Sequence, residues 1–202
     1  MAEWSPILNS DEEPINYYRV IQALNETLDP ENSIVTHDAG APRDSIVPFY
    51  TATTPHSYVG WGKTTHLGFG IPLMIGAKMA EPDKFCLNLM GDGAFGMSGT
   101  DIETAARSGA AITTVLLNNS AMATYSGPTQ GTIGAEAREQ YGVSTMQGDY
   151  GKIAEGMGAV GLHVSKTSEL APALKEAQCL NASGRPVLID VQANVEDRRS
   201  RF

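Results

Sequence analysis

Two short polar turns interrupt the apolar centre of this chain. Gly91–Asp92–Gly93 follows the apolar run Phe85–Met90, and Asn118–Asn119 follows the apolar, β-branched run Ile112–Leu117. Asp92 offers a hard anionic oxygen, Asn119 a neutral amide oxygen, and a backbone carbonyl just beyond it a third donor. An all-oxygen set suits Mg²⁺ or Ca²⁺ and not zinc, which takes nitrogen and sulfur. One carboxylate holds Mg²⁺ weakly, and Mg²⁺ usually completes its shell with water and substrate phosphates, so such a site implies a phosphorylated ligand. The glycines let backbone N–H groups approach phosphate oxygens. A helix beginning near Ser98 would turn its positive end the same way. Taken singly, each turn reads equally well as an ordinary loop.

The elements around the two turns make them neighbours. Helical spacing of Tyr17, Ile21, Leu24 and Leu28 predicts a helix opened by Pro14 and stopped at Asp29–Pro30. A strand is expected in the segment SIVTHDAG (33–40), then a brief helix over Asp44–Tyr50 and a loop over 51–67 with one short strand at Ser57–Val59. Gly70–Ala80 is apolar nearly all round and predicts a buried helix, with Pro72 in the first turn, where a missing N–H does no harm. After the strand 85–90, Thr100 and Glu103 form a capping-box pattern opening a helix through Arg107, closed by Gly109. The strand 112–117 follows. Residues 120–148 read as a helical turn and a long loop. Asp149 caps a helix to Glu155, 159–164 is a strand, Ser168–Leu180 a helix with Leu170, Leu174, Ala177 and Cys179/Leu180 inward, and 186–191 the last strand. The strands are continuous apolar runs alternating with helices, which predicts an α/β fold: a parallel sheet with helices on both faces. Ligands of such sheets sit at the C-terminal strand ends, where both polar turns fall.

Composition narrows the function. A chain of 202 residues, 42% hydrophobic, supports one sizeable core. The domain is expected over 14–195, with tails at 1–13 and 196–202. A net charge of −9 without a basic stripe argues against nucleic acid as a partner. No apolar run reaches the length of a membrane span, and the N-terminus lacks the pattern of a secretory signal. Cys86 and Cys179 read as buried free thiols in a reducing compartment, so a cytoplasmic location is expected. Four scattered histidines lack metal-ligand spacing. Glu12, Glu13, Glu26 and Glu31 read as solvated charge.

The pair GDG and, about 25 residues on, NN resembles the thiamine-diphosphate-binding motif of thiamine-dependent enzymes. The resemblance extends along the chain. PINYYRVIQALNETLDPENSIVTHDAG, GWGKTTHLGFGIPLMIGAKMAEPDKFCLNLMGDGAF and GRPVLIDVQANVE are similar to the opening, centre and last strand of the diphosphate-binding domain in the acetolactate synthase and pyruvate decarboxylase group. The resemblance implies a thiamine-diphosphate-binding fold with thiamine diphosphate and Mg²⁺ as cofactors. Asp92, the Asn119 side chain and the Ala121 carbonyl would bind the metal. Gly93 and Ala94 would touch the diphosphate. Leu67 would support the bent cofactor, and the Thr65 carbonyl and Leu67 amide would meet the aminopyrimidine. Gly40, His66, Gly91 and Met122 complete the implied cofactor-binding set. One departure stands out: acetolactate synthases commonly follow the first-strand glycine with Gln-His-Gln, whereas Gly40 here precedes Ala41–Pro42–Arg43. Pro42 has no N–H, and Arg43 either replaces that diphosphate contact or pairs on the surface. Nor are the tryptophan and arginine that those synthases use near the second substrate recognisable in 120–148.

In the family an activating glutamate lies on a separate pyrimidine-binding domain, for which 202 residues leave no room. The catalytic glutamate is therefore expected on a partner chain, in a heterodimer or α2β2 assembly, or elsewhere in a longer enzyme. Alone, the chain is expected to expose an apolar face. The implied activity is decarboxylation or carboligation of 2-oxo acids. The alternatives are a 2-hydroxyacyl-CoA lyase subunit, a decarboxylase of the sulfopyruvate or phosphonopyruvate type, and a non-catalytic cofactor-binding or regulatory subunit. Ser120, Met122 and Tyr125 either shape the substrate pocket or belong to a local helix.

Overall fold

The computed structural model describes residues 3–60, 62, 66–122, 135–142 and 145–198. Its centre is a six-stranded sheet: β1 (Ser33–His37), β2 (Tyr58–Val59), β3 (Phe85–Gly91), β4 (Thr113–Asn118), β5 (Val160–Val164) and β6 (Val187–Gln192). The order is β2-β1-β3-β4-β6-β5, and every pairing is parallel. Alternate residues of each strand enter opposite cores, as the period of two requires. Val35, Leu87, Leu89, Val115 and Ile189 pack beneath helices α2 (Tyr17–Thr27) and α9 (Leu170–Ala182). Ile34, Cys86, Met90, Leu116 and Leu188 face α4 (Gly70–Ala80), α6 (Asp101–Ser108) and α8 (Tyr150–Gly156). Burial on both sides is why these strands are continuous apolar runs.

The sheet grows in two directions from its middle. From β1 the chain steps outward to β2, then α4 carries it back across β1 to β3, and β4 continues the other way. The C-terminal ends of β1 and β3 therefore flank the point where strand order reverses, where open α/β sheets leave a crevice.

Local structure departs from the sequence expectations in instructive places. The brief helix α3 spans Ala41–Ile46 instead of Asp44–Tyr50, starting earlier because Gly40 turns at φ 83° and Pro42 fits the first turn. The capping box at Thr100 does not form. Thr100 is itself helical (φ −65°, ψ −19°), because helix α5 (Asp92–Ser98) runs into α6 through Gly99, and Glu103 pairs with Arg107 at 2.9 Å instead. Two helices thus separate β3 from β4, and the helix at the polar turn begins at Asp92, while Ser98 is its end. Gly109 closes α6 in the left-handed conformation and Asp149 caps α8 by accepting from the Lys152 N–H at 3.0 Å, both as expected. Helix α4 has the expected bounds, yet buries only Gly70, Ile71, Met74 and Ile75, and Met79 is 71% exposed. A 3-10 turn (Thr167–Glu169) precedes α9. Cys86 is buried, and burial pushes its thiol up to about 11, but Cys179 is exposed, on the outer side of α9. A helix α7 (Ala135–Tyr141) lies within the stretch read as a loop; most of the rest of 120–148, including Tyr125, lies outside the described residues.

The described segments near both termini are tied to the rest of the domain. Helix α1 (Ser5–Leu8) packs through Trp4, whose ring centroid is 4.8 Å from Tyr18 and 5.0 Å from Phe49. Glu12, expected as solvated charge, pairs with Arg198, which also holds Glu196 at 2.6 Å. Glu26 pairs with Arg19 at 3.5 Å.

Candidate functional site

A cleft of about 140 Å³ opens at the C-terminal ends of β1, β3 and β4. The segment after β1 contributes Ala39, Gly40, Ala41 and Pro42; the start of α5 contributes Gly91 to Ala94; the end of β4 contributes Leu117, Asn119, Ala121 and Met122; Tyr17 and Leu67 complete the lining. Nine of the residues implied by the sequence thus come together: Gly40, Leu67, Gly91, Asp92, Gly93, Ala94, Asn119, Ala121 and Met122. His66 is not among them. It is exposed, with its ring centroid 5.6 Å from Phe69. Thr65 lies outside the described residues.

Asp92 is 2% exposed. Its Oδ1 accepts from the Gly93 N–H at 2.8 Å, while the buried Oδ2 has no hydrogen-bond partner among the described residues. Burial pushes its pKa up, opposed by the N–H groups of Gly93, Ala121 and Ser120. A buried carboxylate oxygen with no partner is costly, and a cation bound there would satisfy it. A Cβ at Gly93 would come within 3.2 Å of Met122 Cγ, so a side chain here would require Met122 to give way.

After β4 the chain turns sharply, and Ser120 adopts φ 54°, a left-handed conformation uncommon for a residue with a side chain. The turn folds Asn119 back so that its Oδ1 accepts from the Ala121 N–H at 3.0 Å, while its Nδ2 donates to the Tyr17 hydroxyl. An amide oxygen has two lone pairs, so one remains for a ligand. Among the described residues no group of three or more His, Cys, Asp or Glu side chains gathers as a metal site. The donors brought to the cleft are a carboxylate, an amide oxygen and backbone carbonyls, the chemistry of a hard cation.

The β1 side is organised by Asp38, fully buried at the strand end. Its Oδ1 accepts from Ala39 N–H (2.8 Å) and Gly68 N–H (2.9 Å), and its Oδ2 from Gly70 N–H (3.0 Å). Asp38 thereby pins the loop carrying Leu67, with Gly68 at φ 92°, beside the start of α4. Of the two readings for Arg43, pairing is realised: its Nη2 lies 2.6 Å from Asp44 Oδ1, and Arg43 does not line the cleft. Sequence reasoning missed Asp38 and Tyr17. Tyr17 looked like one more apolar position of an amphipathic helix; Asp38 looked like a turn former. The signal for Asp38 was an acid directly after the C-terminal end of a strand, where ligands of such sheets bind.

Fold and site together define a parallel α/β domain with a ligand cleft at its switch point, where a carboxylate and an amide stand among apolar and glycine neighbours. Residues 38–191 match the family model described as thiamine pyrophosphate enzyme, C-terminal TPP binding domain, and the chain belongs to that family. It is 31% identical over 162 residues to the mitochondrial acetolactate synthase catalytic subunit of Saccharomyces cerevisiae, covering 80% of this chain and 23% of that one. It is 30% identical over 175 residues to the acetolactate synthase large subunit of Corynebacterium glutamicum, covering 85% and 27%. It is 29% identical over 187 residues to 2-hydroxyacyl-CoA lyase 2 of Bos taurus, covering 92% and 29%. The chain thus spans less than a third of the length of these three relatives.

Proposed function

We propose that this chain forms the diphosphate- and Mg²⁺-binding half of a thiamine-diphosphate-dependent enzyme that decarboxylates or ligates 2-oxo acids. The observation that carries the reading is the buried Asp92 Oδ2, which has no hydrogen-bond partner among the described residues, in the same cleft as the Asn119 amide. Asp92, Asn119 Oδ1 and the Ala121 carbonyl would hold Mg²⁺. The Gly93 and Ala94 N–H groups would receive diphosphate oxygens, and Gly40 and Gly91 keep the approach free of side chains. Leu67, half-buried at the rim, would support the bend of the cofactor. When bound, thiamine diphosphate supplies a nucleophilic carbon that adds to a carbonyl.

Three observations favour a half-site completed from elsewhere. The cleft is smaller than the roughly 300–1,000 Å³ of complete small-molecule pockets. The relatives are far longer than the chain. The outer face of α4, with Pro72 and Met79, is apolar and exposed. The missing part would be a pyrimidine-binding domain carrying the activating glutamate, on a partner subunit of an α2β2 or simpler hetero-oligomer or in another part of a longer protein. A cytoplasmic location would follow from reading Cys86 and Cys179 as free thiols of a reducing compartment. The 2-oxo acid class follows the acetolactate synthase relatives; a 2-hydroxyacyl-CoA lyase is the second reading, favoured by the bovine and human lyases among the relatives. A cofactor-binding subunit without catalysis would keep the cleft but never meet a glutamate.

The test is co-purification with the partner, then turnover over a panel of 2-oxo acids and 2-hydroxyacyl-CoAs. Turnover should require both thiamine diphosphate and Mg²⁺ and disappear in Asp92→Ala. Turnover that survives Asp92→Ala or chelation would contradict the reading. Cofactor binding without turnover would favour the non-catalytic subunit.

A further inference from the structure

We propose that Tyr17 is a positioning residue of the cation site, which anchors the amide nitrogen of Asn119 and so holds its oxygen toward the metal. The proposal rests on the reading of Asp92 and Asn119 as cation ligands. Tyr17 is the first residue of α2, far in sequence from both polar turns, yet it lines the cleft and is 2% exposed. Its hydroxyl accepts the Asn119 Nδ2 hydrogen bond.

The amide of Asn119 has two ends of similar shape, and only the oxygen can ligate a cation. In the observed orientation Oδ1 meets the Ala121 N–H at 3.0 Å and Nδ2 meets the phenol. A flipped amide would set Nδ2 against the Ala121 N–H, donor against donor. The Ala121 N–H thus decides which end is the oxygen, since a phenol can donate as well as accept; Tyr17 anchors the nitrogen end and steadies the free lone pair of Oδ1 for the cation. Donation from Nδ2 also draws charge toward the oxygen, the way outer partners of metal ligands raise their basicity.

Tyr17 is itself held by independent contacts. Asn16, fully buried, caps α2 by accepting from the Arg19 N–H at 2.7 Å and donates to the Ile7 carbonyl at 3.2 Å. Ile15 bridges to Ala193 just beyond β6, with its N–H donating to the Gln192 carbonyl at 3.1 Å. The N-terminal segment therefore fixes where the phenol stands, and the cation site extends beyond its two polar turns to the start of α2.

The full chain is titrated with Mn²⁺, read by its electron paramagnetic resonance, in the presence of thiamine diphosphate. Tyr17→Phe, which removes only the hydroxyl, should raise the apparent Kd for Mn²⁺ about 10- to 100-fold and leave the metal-free melting temperature nearly unchanged. Asn119→Asp presents two equivalent oxygens, so orientation no longer matters. In that background Tyr17→Phe should change the Kd less than about threefold, far below the range typical of outer-partner loss. An unchanged Kd in the otherwise native chain, an equal loss in both backgrounds, or failure of Tyr17→Phe to fold would overturn the proposal. A native chain that binds Mn²⁺ no better than Asp92→Ala would instead remove the cation reading on which it stands.

Discussion

Two buried carboxylates, Asp92 and Asp190, are pushed above the usual Asp value of 3.8 by burial, yet they serve different ends. Asp190 lies on β6 and accepts from Asn118 Nδ2 at 3.0 Å, so it braces the first asparagine of the pair, while Asp92 is the residue proposed to meet a cation. The sign follows from linkage. A group whose folded pKa is raised contributes stability that is full below its unfolded value and is lost as pH rises through the folded value. The metal-free chain should therefore melt at lower temperature as pH climbs from about 3.8 through the elevated values of both groups. Asp190→Asn keeps an oxygen for Asn118 and should remove part of that slope, raising the melting temperature at neutral pH; thermal melts across the range check it. Mg²⁺ needs ionised Asp92, so its stabilising shift should grow over the same window.

At the scale of elements, the site depends on a sharp helix junction. A Cβ at Gly99 would lie 2.6 Å from the Phe95 ring and 2.7 Å from the Phe95 carbonyl oxygen, and the backbone contact cannot yield easily. Gly99→Ala should destabilise the chain by about 1–3 kcal/mol and loosen the turn at Asp92, read by denaturant unfolding and by weaker cofactor binding. This junction also marks where sequence reasoning stops. The strands were legible because continuous apolar runs have few other fates in a chain of this class. The two polar turns were legible because each directly follows an apolar strand run, which puts both at C-terminal ends. The junction was not, because Thr100 and Glu103 carry a genuine capping pattern and only tertiary fit around Phe95 lets α5 continue into it. Tyr17 was hidden for a related reason: its helical spacing is that of a core residue, and its hydroxyl acquires a role only when β4 is folded beside it. Cys179 adjoins the inward positions of α9, but one residue on a helix changes the facing by about 100°.

Across the whole molecule, the described terminal segments are clasped and one face is left apolar. Glu12, Arg198 and Glu196 lock these two segments together, and the Tyr18 hydroxyl donates to the Arg198 carbonyl at 2.7 Å. The apolar outer side of α4 has no such cover among the described residues. Met79→Lys should leave stability within about 0.5 kcal/mol, raise the solubility of the isolated chain, and abolish co-purification with the completing subunit; a complex that survives the charge would place the interface elsewhere. The central claim is a cation gripped jointly by Asp92 and Asn119, and the most direct measurement is a crystal structure of the chain with thiamine diphosphate and Mn²⁺ in place of Mg²⁺. The account predicts an anomalous peak bonded to Asp92 Oδ2, Asn119 Oδ1 and the Ala121 carbonyl at about 2.0–2.3 Å, with diphosphate oxygens beside it. A peak bonded to neither side chain, or a diphosphate bound away from the GDG turn, would contradict it.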